Sequence, residues 1–246
     1  GYDNIIQSDI ERMGAKGIMK FRQNKSKVIA EQMFIHQNKT FAQQYFKKGV
    51  WGTDLTGGTS ASSSSTDFVS FDNDNSSPIK FIGDCITEIK RTTGRKPNKL
   101  GLGQRVFDAL INHPDVMNRV IYGGNTASPA MVTTKSLAAI LGVDEVVVFD
   151  AIWNSANLGE EENTGFICDE NAMLLAYATS TPMIDEPTAG YTFRWDMGTK
   201  NILPIIEWEG DEGTYSNYIG GMIAQDMEIV CKDLGFYFQN AVTPKN

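Results

Sequence analysis

The stretch that decides the fold is residues 77–120, SPIKFIGDCITEIKRTTGRKPNKLGLGQRVFDALINHPDVMNRV. Its first part predicts a long amphipathic helix over Pro78–Thr93, because Ser77 is a favoured N-cap residue and proline is tolerated at the first helical position. Gly94 and Pro97 end this helix, since glycine suits the left-handed C-terminal position and proline cannot continue a helix. At about 1.5 Å per residue the helix is a rod of roughly 24 Å. Its apolar stripe has residues three or four apart, namely Ile79, Ile82, Ile86 and Ile89, and Cys85 widens it.

Downstream of the rod the pattern becomes that of a compact α/β unit. Residues 99–102 predict a short strand, and the apolar spacing from Val106 to Ile111 predicts a helix that ends before Pro114. Pro114 opens another short helix. A further helix begins near Thr133 or Thr134 and is closed by Gly142.

Apolar segments further along the chain predict strands. Residues 143–153 are apolar and β-branched and predict a buried strand, and residues 172–179 predict another. Residues 222–232 predict a long strand with one drier face, because apolar and polar residues alternate there. Residues 236–238 form a last apolar segment.

The region before the rod is different in character. Residues 1–48 are polar and mostly helical in pattern, with one helix predicted around Ile5–Met13 and another around Val28–Met33. Between Thr53 and Ser77, a glycine pair and a run of serines at 62–65 predict a flexible loop or an extended arm that buries little surface.

Composition excludes several function classes. The chain has 246 residues, 41% hydrophobic and 21% charged, which is typical of one large or two small globular domains. The formal net charge of −8 disfavours a protein that grips nucleic acid through phosphate contacts. No apolar window is long enough for a membrane span, and we expect no secretory leader. Three scattered cysteines indicate buried thiols in a reducing compartment rather than a disulfide framework: Cys85, Cys168 and Cys231.

The motifs that could carry chemistry are incomplete. Gly101 and Gly103 begin a dinucleotide-binding fingerprint, but Val106 stands where its third glycine belongs. Asp72 and Asp74 resemble the start of a calcium loop that lacks the required glycine and terminal glutamate. No cysteine or histidine spacing fits zinc. We therefore predict no catalytic, cofactor-binding or metal-ligating residues and no cofactor.

His113 is the residue most easily mistaken for a catalytic group. It lies at a helix junction before Pro114, and no serine or cysteine nucleophile neighbours it in sequence. We predict that its side chain hydrogen-bonds free carbonyls at the end of the preceding helix.

Taken together, several phrases of the sequence resemble the major capsid proteins of tailed bacteriophages, the family with the Hong Kong ninety-seven type shell fold. The resemblance covers about two-thirds of the chain, from Trp51 onward. It rests on Ser77-Pro78, Thr93-Gly94, Pro97-Asn98, His113-Pro114-Asp115, the helix–strand unit of residues 137–149, a later loop at residues 189–195 and the ending at residues 233–242.

The resemblance implies an α+β fold, the phage major-capsid shell fold, with a long spine helix, a peripheral domain and an axial domain. The peripheral domain would comprise residues 1–97 and 210–235, with N-terminal helices, a flexible serine-rich loop at 53–77 and the spine helix at 78–93. The axial domain would comprise residues 98–209 and 236–246. We expect the spine stripe to pack on a sheet that the strand at residues 227–231 could provide.

The implied function is that of a non-enzymatic major head protein, which self-assembles into pentamers and hexamers of an icosahedral shell enclosing DNA. The expected partners are further copies of the chain, with a scaffolding protein, a portal and a maturation protease as additional candidates. The packaged DNA would be bound without sequence specificity, and no membrane would be involved. The expected location is the virion, and the host cytoplasm during assembly. Two alternatives stay open, which are an encapsulin-like compartment shell with protein cargo and an α/β enzyme.

Overall fold

The structure is a computed structural model that describes residues 7–60, 67–123, 132–157, 159–183, 185–195, 204–210 and 217–244. Its helices are α1 (Gln7–Gln44), α2 (Pro78–Thr93), α3 (Gln104–Asn112), α4 (Pro114–Gly123) and α5 (Thr134–Leu141). Its strands are β1 (Thr53–Gly58), β2 (Phe68–Val69), β3 (Lys99–Gly103), β4 (Glu145–Phe149), β5 (Ile152–Asn154), β6 (Thr164–Phe166), β7 (Met173–Ala176), β8 (Gly190–Arg194), β9 (Ile205–Glu209), β10 (Asn217–Gly221), β11 (Gln225–Ile229) and β12 (Gly235–Gln239). A short 3-10 helix spans Lys232–Leu234.

A mixed six-stranded sheet with the order β2-β1-β12-β7-β3-β4 is the centre of the fold. β1 is parallel to both of its neighbours, and β3 is parallel to β4, whereas β7 is antiparallel to β12 and to β3. Three two-stranded sheets complete the strand pairing, formed by β5 with β6, β8 with β11, and β9 with β10. This mixed helix-and-strand architecture agrees with the predicted α+β class.

The central sheet has an apolar core on each face, because side chains alternate along a strand. In β12, Phe236 and Phe238 belong to the core that contains the apolar side of α2, whereas Tyr237 belongs to the other. The second core also contains Phe46, which follows α1, and packs against Phe41 near the end of that helix. Helices therefore cover one face of the sheet and the end of α1 covers the other.

The rod is confirmed residue for residue as α2. Its buried positions include the predicted isoleucine stripe, and Ile82 and Ile89 are fully buried. Gly94 adopts a left-handed conformation with φ of 73°, as expected for a C-terminal glycine. Ser77 holds the N-cap position, although its side chain makes no capping hydrogen bond. α3 ends and α4 begins where the sequence predicts, and α5 begins and ends at the predicted residues, with Thr133 and Ser136 forming a capping box.

The predicted partner of the rod was wrong. The stripe of α2 packs in a core with residues of β3, β7 and β12, including Leu100, Leu102 and Phe238. β11 contributes no residue to that core among the described ones. The strand predicted over residues 222–232 is shorter in the structure, where β11 spans Gln225–Ile229. Its predicted alternation is confirmed within those bounds, since Met227 and Ile229 are less exposed than Glu228.

The prediction of a flexible stretch at 53–77 was wrong for the described residues at both of its ends. Residues 53–58 form β1, which pairs with β12 inside the central sheet, and Phe68 and Phe71 are buried. Gly57 is required there by close packing, because a Cβ at this position would lie 2.2 Å from the Asn240 carbonyl oxygen. The serine run itself lies outside the described residues.

Three further expectations are corrected by the strand and helix bounds. The two predicted N-terminal helices are one 38-residue helix, α1, and Ile5 lies outside the described residues. The strand predicted over residues 143–153 is divided into β4 and β5, and β4 is a half-exposed edge strand rather than a buried one. Residues 190–194, expected in a loop, form β8.

The chain divides into two compact units. The first comprises Gly1–Gln37 and Phe193–Asp226, and the second comprises Asn38–Thr192 and Met227–Asn246. These bounds are not those of the predicted peripheral and axial domains, and the pairing of β1 with β12 joins residues assigned to both of them in one sheet. The assignment of peripheral and axial domains therefore stays a prediction about the assembled subunit.

Candidate functional site

The described structure brings one serine and one histidine into contact. His113 Nε2 lies 3.0 Å from Ser76 Oγ and 3.3 Å from the Asn73 carbonyl oxygen. On the other side of the ring, the Asp115 N–H donates to His113 Nδ1 at 3.1 Å. Both Ser76 and His113 are buried. Sequence reasoning missed this pair because the two residues are 37 positions apart.

The hydrogen bonds of His113 make it a structural group rather than a general base. A backbone N–H can only donate, so Nδ1 accepts and the ring proton resides on Nε2. Nε2–H then donates toward Ser76 Oγ or the Asn73 carbonyl, whereas activation of a serine needs an unprotonated nitrogen facing the hydroxyl. The expected contact with carbonyls of α3 is therefore corrected, because the ring bonds the first turn of α4 and the loop before α2.

The glycines of the incomplete nucleotide fingerprint serve packing. A Cβ on Gly101 would lie 2.5 Å from the ring of Phe149, and a Cβ on Gly103 would lie 2.5 Å from the carbonyl oxygens of Asp169 and Glu170. Phosphate binding needs open space in front of the glycine backbone. Protein atoms fill that space here, so the pair positions β3 against its neighbours.

The cysteines are placed as apolar side chains. Burial, with a smaller contribution from Asp84, raises the pKa of Cys85 to about 12. Burial together with Asp169 raises the pKa of Cys168 to about 11. A thiol is nucleophilic as the thiolate, which such pKa values disfavour at neutral pH. All three cysteines are free, and Cys231 is half-buried.

No group of three or more potential metal ligands occurs among the described residues. Asp72 and Asp74, the candidate start of a calcium loop, are exposed in a turn where the Asn75 N–H donates to the Asn73 side chain at 3.0 Å. The described residues also include no helix with the length and apolar character needed to cross a membrane.

The prominent surface feature is a concentration of exposed apolar side chains in the first compact unit. Of the sixteen large hydrophobic residues that are exposed in the described structure, ten lie in this unit. None of its described large apolar side chains is buried, whereas the second unit holds both apolar cores. The ten residues are Val28, Phe34, Ile35, Phe193, Trp195, Ile205, Ile206, Trp208, Tyr218 and Met222.

This distribution was not visible in the sequence. The segment around Ile205 to Met222 has the composition of an ordinary half-buried strand pair. Only the structure shows that its described large apolar side chains are exposed. Exposed apolar surface marks interaction sites in folded proteins where it is contiguous. The exposed apolar side chains of the first unit are therefore candidates for such contacts.

The comparisons with known proteins find similarity in structure. No protein-family model matches the sequence, and no curated protein matches it. The fold is similar to that of a phage-related protein from Bordetella bronchiseptica RB50, with a TM-score of 0.69 at 20% identity over 95% of this chain and 69% of that chain. At this identity the likeness shows a common fold.

A second solved structure, a candidate capsid protein of a prophage from Escherichia coli CFT073, has a TM-score of 0.41 at 13% identity. The match covers 68% of this chain and 48% of that chain. This likeness is too weak to indicate a common fold.

Proposed function

We propose that the chain is the major capsid protein of a tailed bacteriophage and that it assembles into pentamers and hexamers of an icosahedral shell around DNA. The observation that carries the proposal is the fold shared with a phage-related protein over 95% of this chain. The sequence adds the spine-helix phrases at 77–98 and the His-Pro-Asp turn at 113–115, which resemble those of the capsid family.

The described chemistry is compatible with a structural, non-enzymatic role. The Ser76–His113 pair carries the wrong tautomer for nucleophilic catalysis, and burial raises the pKa of the Cys85 and Cys168 thiols. The side chains of Ser76 and His113 instead connect the loop before α2 to the first turn of α4.

A shell subunit also needs a rigid body and a surface that binds its neighbours. The second unit supplies the rigid body, since α2 and the central sheet share a continuous apolar core. The first unit supplies exposed apolar surface. A formal net charge of −8 suits a container that holds DNA without tight phosphate contacts.

The partners in this proposal are other copies of the chain, with a scaffolding protein, a portal and a maturation protease as additional partners during assembly. The location is the virion, and the host cytoplasm before packaging. An encapsulin-like shell is the nearest alternative, since it would have the same fold and differ in carrying a cargo enzyme.

Negative-stain electron microscopy of the purified protein tests the proposal. We expect closed shells or capsomers. Particles from cells that contain the phage genome should retain nuclease-protected DNA. Shells that contain a bound enzyme and no DNA would indicate the encapsulin-like alternative, and compact monomers at all concentrations would contradict both shell functions.

A further inference from the structure

The central sheet ends at β4, and the outer edge of this strand presents backbone hydrogen-bonding groups. Among the described residues β4 pairs with β3 alone, and the Glu145 N–H donates to the Asn98 carbonyl at 3.1 Å. In a parallel pair, alternate residues of a strand direct both their N–H and their C=O toward the same neighbour. Glu145 and every second residue after it therefore bond β3, whereas Val146 and Val148 direct their N–H and C=O groups to the open edge.

A groove of about 240 Å³ lies beside this edge, on the face of the sheet that carries Phe149. Its apolar wall includes Phe41 near the end of α1, Val147 of β4 and Ile167 after β6. Val147 is 40% exposed, and all of these residues belong to the second compact unit. The groove is smaller than the roughly 300 to 1,000 Å³ of small-molecule pockets, so its size suits one or two apolar side chains.

We propose that the outer edge of β4 binds an extended peptide of another protein, which adds as a further strand and carries basic residues on both sides of an apolar centre. The inference goes beyond the proposed function and does not depend on it. An added strand would satisfy the N–H and C=O groups of Val146 and Val148 through main-chain hydrogen bonds. Because successive side chains alternate across a strand, every second side chain of the added peptide would lie on the side of the groove.

The carboxylates along β4 favour a basic peptide. Residues 144–150 contain three acidic residues and no basic one, and Asp144 and Asp150 flank the strand at its two ends. Neither of these two side chains has a hydrogen bond or an ion pair among the described residues, whereas Glu145 bonds Lys99. A lysine or arginine at each end of the added strand would therefore meet an unpaired carboxylate.

The same carboxylates disfavour a second copy of this chain as the occupant. Charges on a short edge strand protect it against pairing with an identical edge. Two strands with an alternating apolar pattern are themselves acidic, since β9 has the sequence IIEWE and β11 has the sequence QDMEI. Their carboxylates would lie opposite those of β4, which destabilises the pairing, and a peptide with basic ends meets no such repulsion.

Fluorescence anisotropy of a labelled peptide, titrated with the full chain, tests the inference. The probe is the heptapeptide Lys-Thr-Val-Leu-Val-Thr-Lys, in which the two lysines are as far apart in sequence as Asp144 and Asp150. The control peptide has glutamate in place of both lysines. We expect the wild-type chain to bind the lysine peptide and to bind the glutamate peptide at least about tenfold more weakly.

The substitution Val148→Pro removes an N–H that faces the open edge and leaves the bonds to β3 in place. An edge strand tolerates proline at such a position. The matched control Val148→Thr retains both the N–H and the branched side chain. We expect Val148→Pro to raise the Kd for the lysine peptide at least about tenfold and Val148→Thr to leave it within about threefold, because only the first leaves a peptide carbonyl without its donor.

A double variant tests the preference for a basic peptide. Asp144→Asn combined with Asp150→Asn should raise the Kd for the lysine peptide about threefold or more, since exposed charge pairs contribute modestly. The same variant should bind the glutamate peptide no more weakly than the wild type does. A wild-type chain that binds both peptides equally would contradict a basic partner.

Two N-methylated forms of the lysine peptide guard against a proline variant that fails to fold. Only alternate N–H groups of a strand face its neighbour, so methylation at either the odd-numbered or the even-numbered residues should abolish binding, and the other form should still bind. Loss of binding with both forms, or with neither, would overturn the inference. So would a folded Val148→Pro variant that binds normally, or a wild-type chain that does not bind the lysine peptide at concentrations up to about 1 mM.

The concentration of the chain distinguishes the remaining occupant. Peptide binding that weakens as the chain is concentrated would assign the edge of β4 to a second copy and would also overturn the inference. The titration does not measure shell formation, so its failure leaves the proposed function standing, and monomeric chains that bind the lysine peptide would support the inference while contradicting the shell function.

Discussion

The substitution Ile82→Ala tests whether α2 anchors the rigid unit. Ile82 lies on the buried stripe of α2, with no solvent-exposed surface, in the core shared with Leu100 and Phe238. The change removes three carbon atoms, which at about 0.8 kcal/mol each is a loss of roughly 2.4 kcal/mol of burial free energy. The residual cavity adds to this, so we expect the free energy of unfolding to fall by about 3 to 4 kcal/mol.

The neighbouring residue provides a matched control. Gly83 is the next residue of the same helix, and a Cβ placed on it would meet no atom within 4 Å. Gly83→Ala should therefore raise the free energy of unfolding by about 0.5 to 1 kcal/mol, because glycine in a helix interior carries an entropic cost relative to alanine.

Urea unfolding of the unassembled protein, followed by far-ultraviolet circular dichroism, measures both variants. Thermal unfolding should agree with it, since a loss of about 3 kcal/mol corresponds to a fall in Tm of roughly 6 to 12 °C in a unit of this size. A loss below about 1 kcal/mol for Ile82→Ala would refute the reasoning, because it would mean that the stripe of α2 is not packed against the sheet.

Three further predictions concern the buried polar pair, the thiols and the first strand. His113→Ala should lower the free energy of unfolding by about 2 to 3 kcal/mol. A double-mutant cycle with Ser76→Ala, measured by urea unfolding, should give a coupling energy near 1 kcal/mol. If the effects of the two substitutions are independent, the Ser76–His113 hydrogen bond is contradicted. Burial raises the pKa of Cys85 to about 12 and that of Cys168 to about 11, from a value of 9.0. The contribution of these thiols to the free energy of unfolding is therefore fully present below about pH 9, and it is lost as the pH rises toward 11 to 12. A thiol titration should find three free thiols after denaturation and at most one reacting quickly in the native protein; fast reaction of two or more would show that Cys85 or Cys168 is accessible. Amide hydrogen exchange should be as slow in residues 53–58 as in residues 235–239, and rapid exchange in β1 alone would restore the flexible-loop interpretation.

The parts of the fold that the sequence predicts well are those decided by local physics. The bounds of α2 follow from Pro78, Gly94 and a strict apolar period, and α5 follows from Thr133 and Gly142 in the same way. Such signals depend only on neighbours along the chain. The incomplete nucleotide fingerprint was also judged from local spacing, and the structure shows that Gly101 and Gly103 are needed for close packing.

The predictions that were wrong concern contacts between residues that lie far apart in the sequence. β1 has the sequence TDLTGG, which has low strand propensity, and it becomes a strand because β12, almost 180 residues later, pairs with it in parallel. β4 has a typical buried-strand sequence but lies at the sheet edge, where Val147 is 40% exposed. The exposure of the apolar side chains of β9 and β10 could not be predicted either, because it depends on what packs over a strand face.

The most direct test of the central claim, that this chain is a self-assembling shell subunit, is the mass of the particles that it forms in solution. Light scattering or sedimentation of the purified protein should show masses near five or six times that of the 27.2 kDa chain, together with much larger closed particles. A single species of about 27 kDa that persists as the protein is concentrated would contradict the claim.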